Sequence, residues 1–267
     1  MPSENVDTSV EPVVESTVDV VVDDRRSRKR EARRLRLLEI AAEIVEDHGV
    51  DGLTMAALGE ASDYATASLY TYFSSRSALV AALQQWALEI LGEVALQAVA
   101  KWDQDLAEDS QLDERVKALA RLCAFSDLFL AAPVAHRREF RLQQELLITP
   151  GVQDVGDAGS VVPIAMTVLA VPQGLLAQAA LVGALNNHGG ALDLAGVPLE
   201  VALGRTLAWV LALNGTLLAD GLVTGLASTG AALGTQVSDA MLIGWGADPD
   251  SVAVARSLSS RWQEVAL

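Results

Sequence analysis

Basic side chains are concentrated in one short stretch of the sequence. Residues 25–36 carry eight Lys and Arg side chains against the single acid Glu31, which is nearly half of the 19 basic residues in the chain. A solvated helix face would mix the two signs of charge, whereas a block of one sign is typical of a segment that contacts phosphates. We therefore interpret this stretch as a basic arm for nucleic acid, with Arg33, Arg34 and Arg36 as candidate contacts.

A second group of candidate side chains follows at residues 67–79, which read ASLYTYFSSRSAL. Tyr70, Tyr72 and Phe73 stand within four positions, although the whole chain has only four Phe, three Tyr and five Trp. Residues 70 and 72 cannot share one face of a helix, so at least one tyrosine must point away from the core. Arg76 falls in the first turn of the next helix, where a cation is unfavourable unless it shares a phosphate.

Catalytic and metal chemistry finds little support in this sequence. Three His, one Cys and no Gly-rich phosphate loop provide no credible triad or metal cluster. We interpret His48, His136 and His188 as structural, and Cys123 as a core residue because a single cysteine cannot form an internal disulfide. We expect no enzyme activity, no metal and no cofactor.

The composition is apolar and acidic. The chain has 51% hydrophobic residues, a mean hydropathy of +0.30 and a formal net charge of −16. No residue from Ala158 to Leu192 is formally charged, a length that fits a membrane span, but Pro163, Pro172 and several amides interrupt it and favour buried core helices. The first residues show neither a basic start nor an apolar block, so we expect no secretory signal, no membrane partner and a cytoplasmic protein.

The elements that position the candidate side chains are all predicted to be helices. The first begins near Arg33 and ends at Gly49; a second, short helix is capped by Thr54; a third runs from about Thr66 to Tyr72. A long fourth helix follows a cap at Ser74 or Ser75. This order is the helix-turn-helix arrangement.

The rest of the chain is also predicted to be helical, which gives an all-α fold. We expect a disordered acidic leader and basic arm over residues 1–30, a helix-turn-helix domain over 31–80 and a larger helical domain over 81–267. The predicted later helices are Leu112 to Phe129, Val134 to Leu147, Val161 to Asn187, Leu199 to Val223 and a final stretch ending near Val265, with a Gly-rich break over Pro150 to Ser160.

The stretch from Leu38 to Leu83 resembles the N-terminal domain of the tetracycline-repressor (TetR) family of bacterial transcription regulators. The ordered residues behind this resemblance are Gly49, Thr54, Leu69, Tyr70, Tyr72, Phe73, Arg76 and Leu79. The sequence departs from the family pattern at Asp63, where a turn glycine is usual, and at Ala65 and Thr66, where serine and lysine are common. The resemblance implies an all-helical homodimer with a DNA-binding domain and a ligand-sensing domain.

The resemblance also implies roles for individual residues. Base edges of double-stranded operator DNA would be read by Thr66, Ala67 and Ser68, at the start of the recognition helix. The phosphate and sugar contacts would come from Thr54, Tyr70, Tyr72 and Arg76, while Phe73 is a core residue. Since the third helix has no basic residue, charge neutralisation would come from the basic arm.

The larger domain would bind a small, mostly apolar effector and form the dimer. Candidate ligand contacts are the aromatic residues Trp86, Trp102, Phe125 and Phe129, each of which could equally be a core residue. We expect the dimer interface in segments 161–187 and 199–223, which are too hydrophobic to face water on all sides, and interpret Trp209 as dimer-core packing.

These observations predict a ligand-responsive transcription regulator, usually a repressor in this family. The alternative is a helical ligand-binding or interaction protein of the same fold that does not read DNA, because the recognition helix has no base. A further hypothesis concerns the leader: residues 1–24 hold seven acids and no base, and as a flexible chain they would compete with DNA for the basic arm. The alternative is a disordered leader without effect on DNA binding.

Overall fold

The computed structural model describes residues 16–148, 155–186, 199–222 and 229–266. These residues form ten helices and no strand, which confirms the predicted all-α class. The chain divides into unit 1, residues 1–76, and unit 2, residues 77–267. The helices are α1 (Ser16–Gly52), α2 (Met55–Ser62), α3 (Thr66–Leu69), α4 (Arg76–Glu108), α5 (Glu114–Ala135), α6 (Arg137–Ile148), α7 (Val155–Leu181), α8 (Leu199–Leu222), α9 (Gly230–Gly244) and α10 (Pro249–Ala266).

The first helix is longer than the sequence pattern predicts. Residues 16–30, expected to be disordered, belong to α1, while residues 1–15 lie outside the described residues. The reason is local: no Gly or Pro occurs between Ser16 and His48, and the basic stretch is rich in Arg, a strong helix former. The helix is interrupted at Gly49, whose φ of 72° is the left-handed conformation predicted there.

Unit 1 packs its short helices closely. Thr54 caps α2 as predicted, its Oγ1 accepting a hydrogen bond from the Ala57 N–H at 3.0 Å. A Cβ atom on Gly59 would lie 2.9 Å from the Tyr64 carbonyl oxygen and 3.2 Å from Thr66 Oγ1. The absence of a side chain at Gly59 therefore lets the turn and α3 approach α2 closely. A glycine within a short helix predicts such a close contact.

The helices of unit 2 follow the predicted order with two corrections. The predicted Gly-rich break is wrong for residues 155–160, which are part of α7; residues 149–154 lie outside the described part of the chain. The final stretch is two helices, because Gly246, with φ 100°, follows α9 and Pro249 begins α10. Proline at the first helical position has no N–H to leave unpaired.

The core of unit 2 is built around Trp209. This residue is fully buried, its ring centroid lies 5.3 Å from that of Phe125, and its Nε1–H donates to Ser238 Oγ at 3.0 Å. The interpretation of Trp209 as dimer-core packing is therefore wrong: α8 turns this side chain into the core of its own protomer. Buried tryptophan normally finds a partner for its N–H, and here α9 supplies it.

A polar network joins α10 to α5 and α9. The Arg256 guanidinium donates to Asp127 Oδ1 at 2.6 Å and also to an Asp239 carboxylate oxygen. Ser259 Oγ donates to Asp127 Oδ2 at 2.9 Å, so both oxygens of this buried carboxylate are paired. Burial raises the pKa of Asp127, while the positive charge of Arg256 opposes that rise.

The helices α7 and α8 pack against each other, and each exposes a row of uncharged residues; the two rows together are called the α7–α8 face. Its residues are Val162, Pro163, Met166, Thr167, Ala170, Gly174, Gln178 and Leu181 of α7 and Gly204, Leu207, Ala208, Leu211, Gly215 and Leu218 of α8. In length and composition alone, residues 161–181 are one of three described segments apolar enough to cross a membrane, with Arg76–Glu108 and Glu114–Ala135. Only 28% of the apolar window in 161–181 is buried, the smallest share of the three.

Candidate DNA-binding surface and ligand cavity

The predicted base-reading residues form the exposed side of α3. Thr66, Ala67 and Ser68 are exposed, whereas Leu69 is fully buried and anchors the helix. Asp63 adopts the left-handed conformation at φ 56°, so an aspartate fills the turn position where the family pattern has glycine. The helix is only four residues long and its exposed side chains are small and uncharged.

The aromatic residues after α3 take three different environments. Phe73 is buried, as predicted for a core residue, and the Arg34 guanidinium carbon lies 5.8 Å from its ring centroid. Tyr70 is 52% exposed, which confirms that one tyrosine points away from the core. Tyr72 is half-buried and its ring meets that of Tyr64 edge to face at 6.4 Å.

Arg76 has partners that the sequence argument did not foresee. Its Nε–H donates to the Leu53 carbonyl at 2.6 Å and its Nη2 group to the Val50 carbonyl at 2.7 Å. These carbonyls follow the Gly49 interruption of α1, so the guanidinium ties the start of α4 to the end of α1. The cation therefore needs no phosphate to be stable at this position, and its contact with DNA stays a prediction.

The basic residues of α1 lie beside this segment. Arg30 Nη2 donates to the Thr71 carbonyl at 2.8 Å, which places one arginine of the basic arm next to the turn that follows α3. Arg33 is exposed, and Arg36 pairs with Glu39 at 2.9 Å on the same helix. Since Thr54 Oγ1 uses an acceptor site for its cap, its O–H stays available as a donor. Unit 1 thus combines exposed α3 residues, phenols and a basic helix.

Unit 2 contains a cavity of about 320 Å³. Eighteen of its twenty lining residues are apolar, and they come from α4, α5, α6, α7 and α8. The lining residues are Leu88, Leu91, Val94, Ala95, Phe125, Leu128, Phe129, Ala132, His136, Phe140, Gln143, Val161, Val162, Ala165, Val168, Leu169, Pro172, Leu207, Val210 and Leu211. This size is at the lower end of pockets that hold small organic ligands.

The four predicted ligand contacts divide into two pairs. Phe125 and Phe129 line the cavity. Trp102 does not; it is buried and stacks on Trp262 with ring centroids 5.9 Å apart. Trp86, which is half-buried, also lies outside the lining. Trp102 is buried because it stacks on a residue of α10, and the spacing of residues within α4 cannot reveal a partner on another helix.

Sequence reasoning missed the polar wall of the cavity. Among the residues that the structure describes, His136 and Gln143 are the only polar ones that line it, and Phe140 lines it between them. His136 lies in the turn between α5 and α6, and its carbonyl accepts from the Phe140 N–H at 2.9 Å, while Phe140 and Gln143 share one face of α6 at a spacing of three. The interpretation of His136 as a residue on a solvated face is therefore wrong. The spacing of residues 136, 140 and 143 was the signal that could have found this wall.

Reactive groups are sparse in the described part of the chain. No cluster of three His, Cys, Asp or Glu side chains is placed to hold a metal ion there. Burial raises the pKa of the Cys123 thiol to about 12, which keeps it protonated and inert at neutral pH. His188 lies outside the described residues.

Comparisons with known proteins give a family match for the N-terminal domain and similar folds for most of the chain. Residues 37–83 match the family described as bacterial regulatory proteins, tetR family. The fold of this chain is similar to that of a protein of unknown function from Rhodococcus sp. RHA1, with a TM-score of 0.55 and 24% sequence identity. The match covers 79% of this chain and 94% of that one. No curated protein matches this chain significantly.

Two ligand-bound structures share the fold. FadR from Bacillus subtilis in complex with stearoyl-CoA has a TM-score of 0.53 and 14% identity, covering 79% of this chain and 98% of that one. RolR in complex with resorcinol has a TM-score of 0.51 and 20% identity, covering 88% and 96%. Residues 37–83 of this chain therefore form a domain of the tetR family of bacterial regulatory proteins.

Proposed function

We propose that this protein is a transcription repressor that binds operator DNA as a homodimer and releases it when a small, mostly apolar effector enters the cavity of unit 2. The observation that carries the proposal is the composition of unit 1. Exposed Thr66, Ala67 and Ser68 stand on a short helix anchored by Leu69, and Arg30 of the basic helix is held against the adjoining turn. The residues that we propose for base reading and for phosphate binding thus lie on one small unit.

The cavity supports an uncharged effector. No Asp, Glu, Lys or Arg side chain of the described residues lines it, and a charged ligand in an apolar cavity would lose its hydration without a compensating ion pair. His136, in the turn before α6, and Gln143, on α6, both line the cavity, and both can hydrogen-bond to a ligand. RolR, with the same fold, binds resorcinol, a small ring with hydroxyl groups. We propose an effector of that general kind, with an apolar body and hydrogen-bonding groups.

The α7–α8 face supports the homodimer. Leu207, Leu211 and Leu218 of α8 are 41%, 55% and 43% exposed on it. A row of exposed apolar residues along two adjacent helices is typical of an interface rather than of a solvated surface. A repressor of this kind needs two copies, because two recognition helices must reach half-sites about 34 to 36 Å apart.

Selection of genomic DNA fragments tests the proposal. The protein should enrich a pseudo-palindromic sequence at moderate salt, and an added metabolite extract should reduce the enrichment. If no sequence is enriched, the alternative of a helical ligand-binding protein that does not read DNA gains support, since α3 has no basic side chain.

Replacing Tyr72 with Phe should weaken operator binding by about fivefold, because only one phenol hydrogen bond, worth about 1 kcal/mol, is lost. The ring stays to pack against Tyr64, so Tm should not change. Fluorescence anisotropy with a labelled operator measures the affinity, and thermal unfolding is the control. Unchanged affinity would mean that Tyr72 serves packing alone.

The neutral dye N-phenyl-1-naphthylamine should bind unit 2 at least about tenfold more tightly than its sulfonated analogue 1-anilinonaphthalene-8-sulfonate, because the sulfonate would be desolvated in an uncharged cavity. Replacing Ala165, which lines the cavity, with Phe should weaken dye binding. The same change at exposed Ala253 on α10 is the matched control. Equal affinity for the two dyes would contradict an uncharged effector.

A further inference from the structure

Three residues belong both to the cavity and to the α7–α8 face. Val162, Leu207 and Leu211 line the cavity, yet they are 57%, 41% and 55% exposed. Residues enclosed within a protein core are almost fully buried, as Leu88 and Val161 of the same cavity are. The cavity therefore opens to the outside between α7 and α8.

The described residues that surround the opening are apolar. The exposed positions of α8 follow one stripe, 204, 207, 208, 211, 215 and 218, at helical spacings of three and four. On α7 the nearest exposed positions are Val162, Pro163 and Met166. An effector bound behind such an opening would keep part of its apolar surface in water, at a cost of about 25 cal/mol for each Å² left uncovered.

A second copy of this chain is the occupant that the charge pattern favours. The chain has a net charge of −16, so two copies repel each other across any surface that carries its acids. The exposed residues of the α7–α8 face include no ionisable side chain, so that repulsion is weak across this face. At Gly204 and Gly215 a Cβ atom would meet nothing within 4 Å, so these positions leave room for a facing helix.

We infer that the partner copy closes the cavity across the α7–α8 face, so that the effector site is complete only in the dimer. The inference rests on the proposed homodimer and effector, and adds that dimerisation and effector binding are coupled. Because linkage is reciprocal, an effector that binds the closed cavity more tightly must strengthen dimerisation by the same factor. Couplings between sites are typically about 5- to 150-fold.

A glycine on the face provides the test. Gly215→Glu places a charge within the α8 stripe, and it should not harm the fold of one protomer because its Cβ has open space and Glu favours a helix over Gly. Gly244→Glu is the matched control, since Gly244 of α9 is also exposed with nothing within 4 Å of a Cβ. Leu218→Asp, on the same stripe and outside the cavity lining, is the second variant.

Sedimentation velocity and titration with N-phenyl-1-naphthylamine are the two measurements. We expect a dimer for the wild type and Gly244→Glu, and for both face variants a folded monomer that binds the dye at least about tenfold more weakly. A monomeric face variant that binds the dye like wild type would overturn the closure and leave the dimer intact. A wild-type monomer, or face variants that still dimerise, would overturn the dimer across this face. A wild-type dimer that does not bind the dye would overturn the cavity as the effector site.

Discussion

Replacing Arg256 with Met should destabilise the protein by about 3–5 kcal/mol at neutral pH. The Arg256 guanidinium is the charge partner of buried Asp127, and removing one member of a buried ion pair leaves the other charge without compensation. Met keeps the length of the side chain, so the packing of α10 against α5 changes little. Chemical denaturation followed by circular dichroism measures the loss.

The pH dependence of this variant follows from the sign of the Asp127 shift. Burial raises the pKa of Asp127 in the folded state, and Arg256 opposes the rise, so its removal should raise that pKa further. The folded variant then takes up a proton on Asp127 at a higher pH than the unfolded chain does. Its stability should therefore increase relative to wild type as the pH falls from 7 towards 5.

Two further variants complete this experiment. Arg121→Met removes a pair with Asp103, whose side chain is 53% exposed, and should cost no more than about 1 kcal/mol. Adding Asp127→Asn to Arg256→Met should recover part of the loss at pH 7, because the buried negative charge is gone. A loss for Arg256→Met as small as for Arg121→Met would contradict the assignment of the network as a buried ion pair.

Replacing Arg26, Arg30 and Arg33 together with Ala should lower operator affinity by about two to three orders of magnitude at 0.1 M salt. The three residues are exposed, share one face of α1 at spacings of four and three, and include the arginine bonded to the Thr71 carbonyl. Three lost phosphate contacts would reduce the slope of log K against log salt by up to about 2.7. Titrations at several salt concentrations measure both quantities.

A matched triple variant separates local contacts from net charge. Lys101, Arg137 and Arg261 are exposed bases of unit 2, and replacing them with Ala changes the net charge by the same amount. This control should leave the slope of log K against log salt nearly unchanged, because the effect of a distant charge is screened within about 10 Å at 0.1 M salt. Equal losses in the two triple variants would indicate that α1 makes no specific phosphate contacts.

Local rules predicted most of unit 1. Gly49, Thr54 and Asp63 each adopt the conformation that turn and cap chemistry requires, because the determinants lie within three residues of each position. The close approach at Gly59 was also predictable. Glycine disfavours a helix, so a glycine within the short helix α2 indicates that a neighbouring element leaves no room for a side chain there.

The remaining features depend on partners distant in sequence. Arg76 bonds carbonyls 23 and 26 positions away, and Trp209 is fixed by Ser238, 29 positions away. Likewise His136 faces a cavity whose other walls come from four further helices. Such contacts are set by how helices pack, and periodicity within one helix does not specify which neighbour it meets. The start of α1 was missed for a different reason: residues 16–30 have no aromatic residue and no periodic apolar spacing, and the prediction of disorder rested on that rather than on helix propensity.

The continuity of α1 also has a consequence for the length of DNA that the protein covers. A flexible arm would follow either strand, whereas residues 25–36 as a helix form a rod about 18 Å long whose charges keep a fixed register with α3. Along a duplex with base pairs about 3.4 Å apart, that length corresponds to about five base pairs. The protected footprint of each half-site should therefore extend by several base pairs beyond the bases that α3 reads, with no sequence preference in the added part.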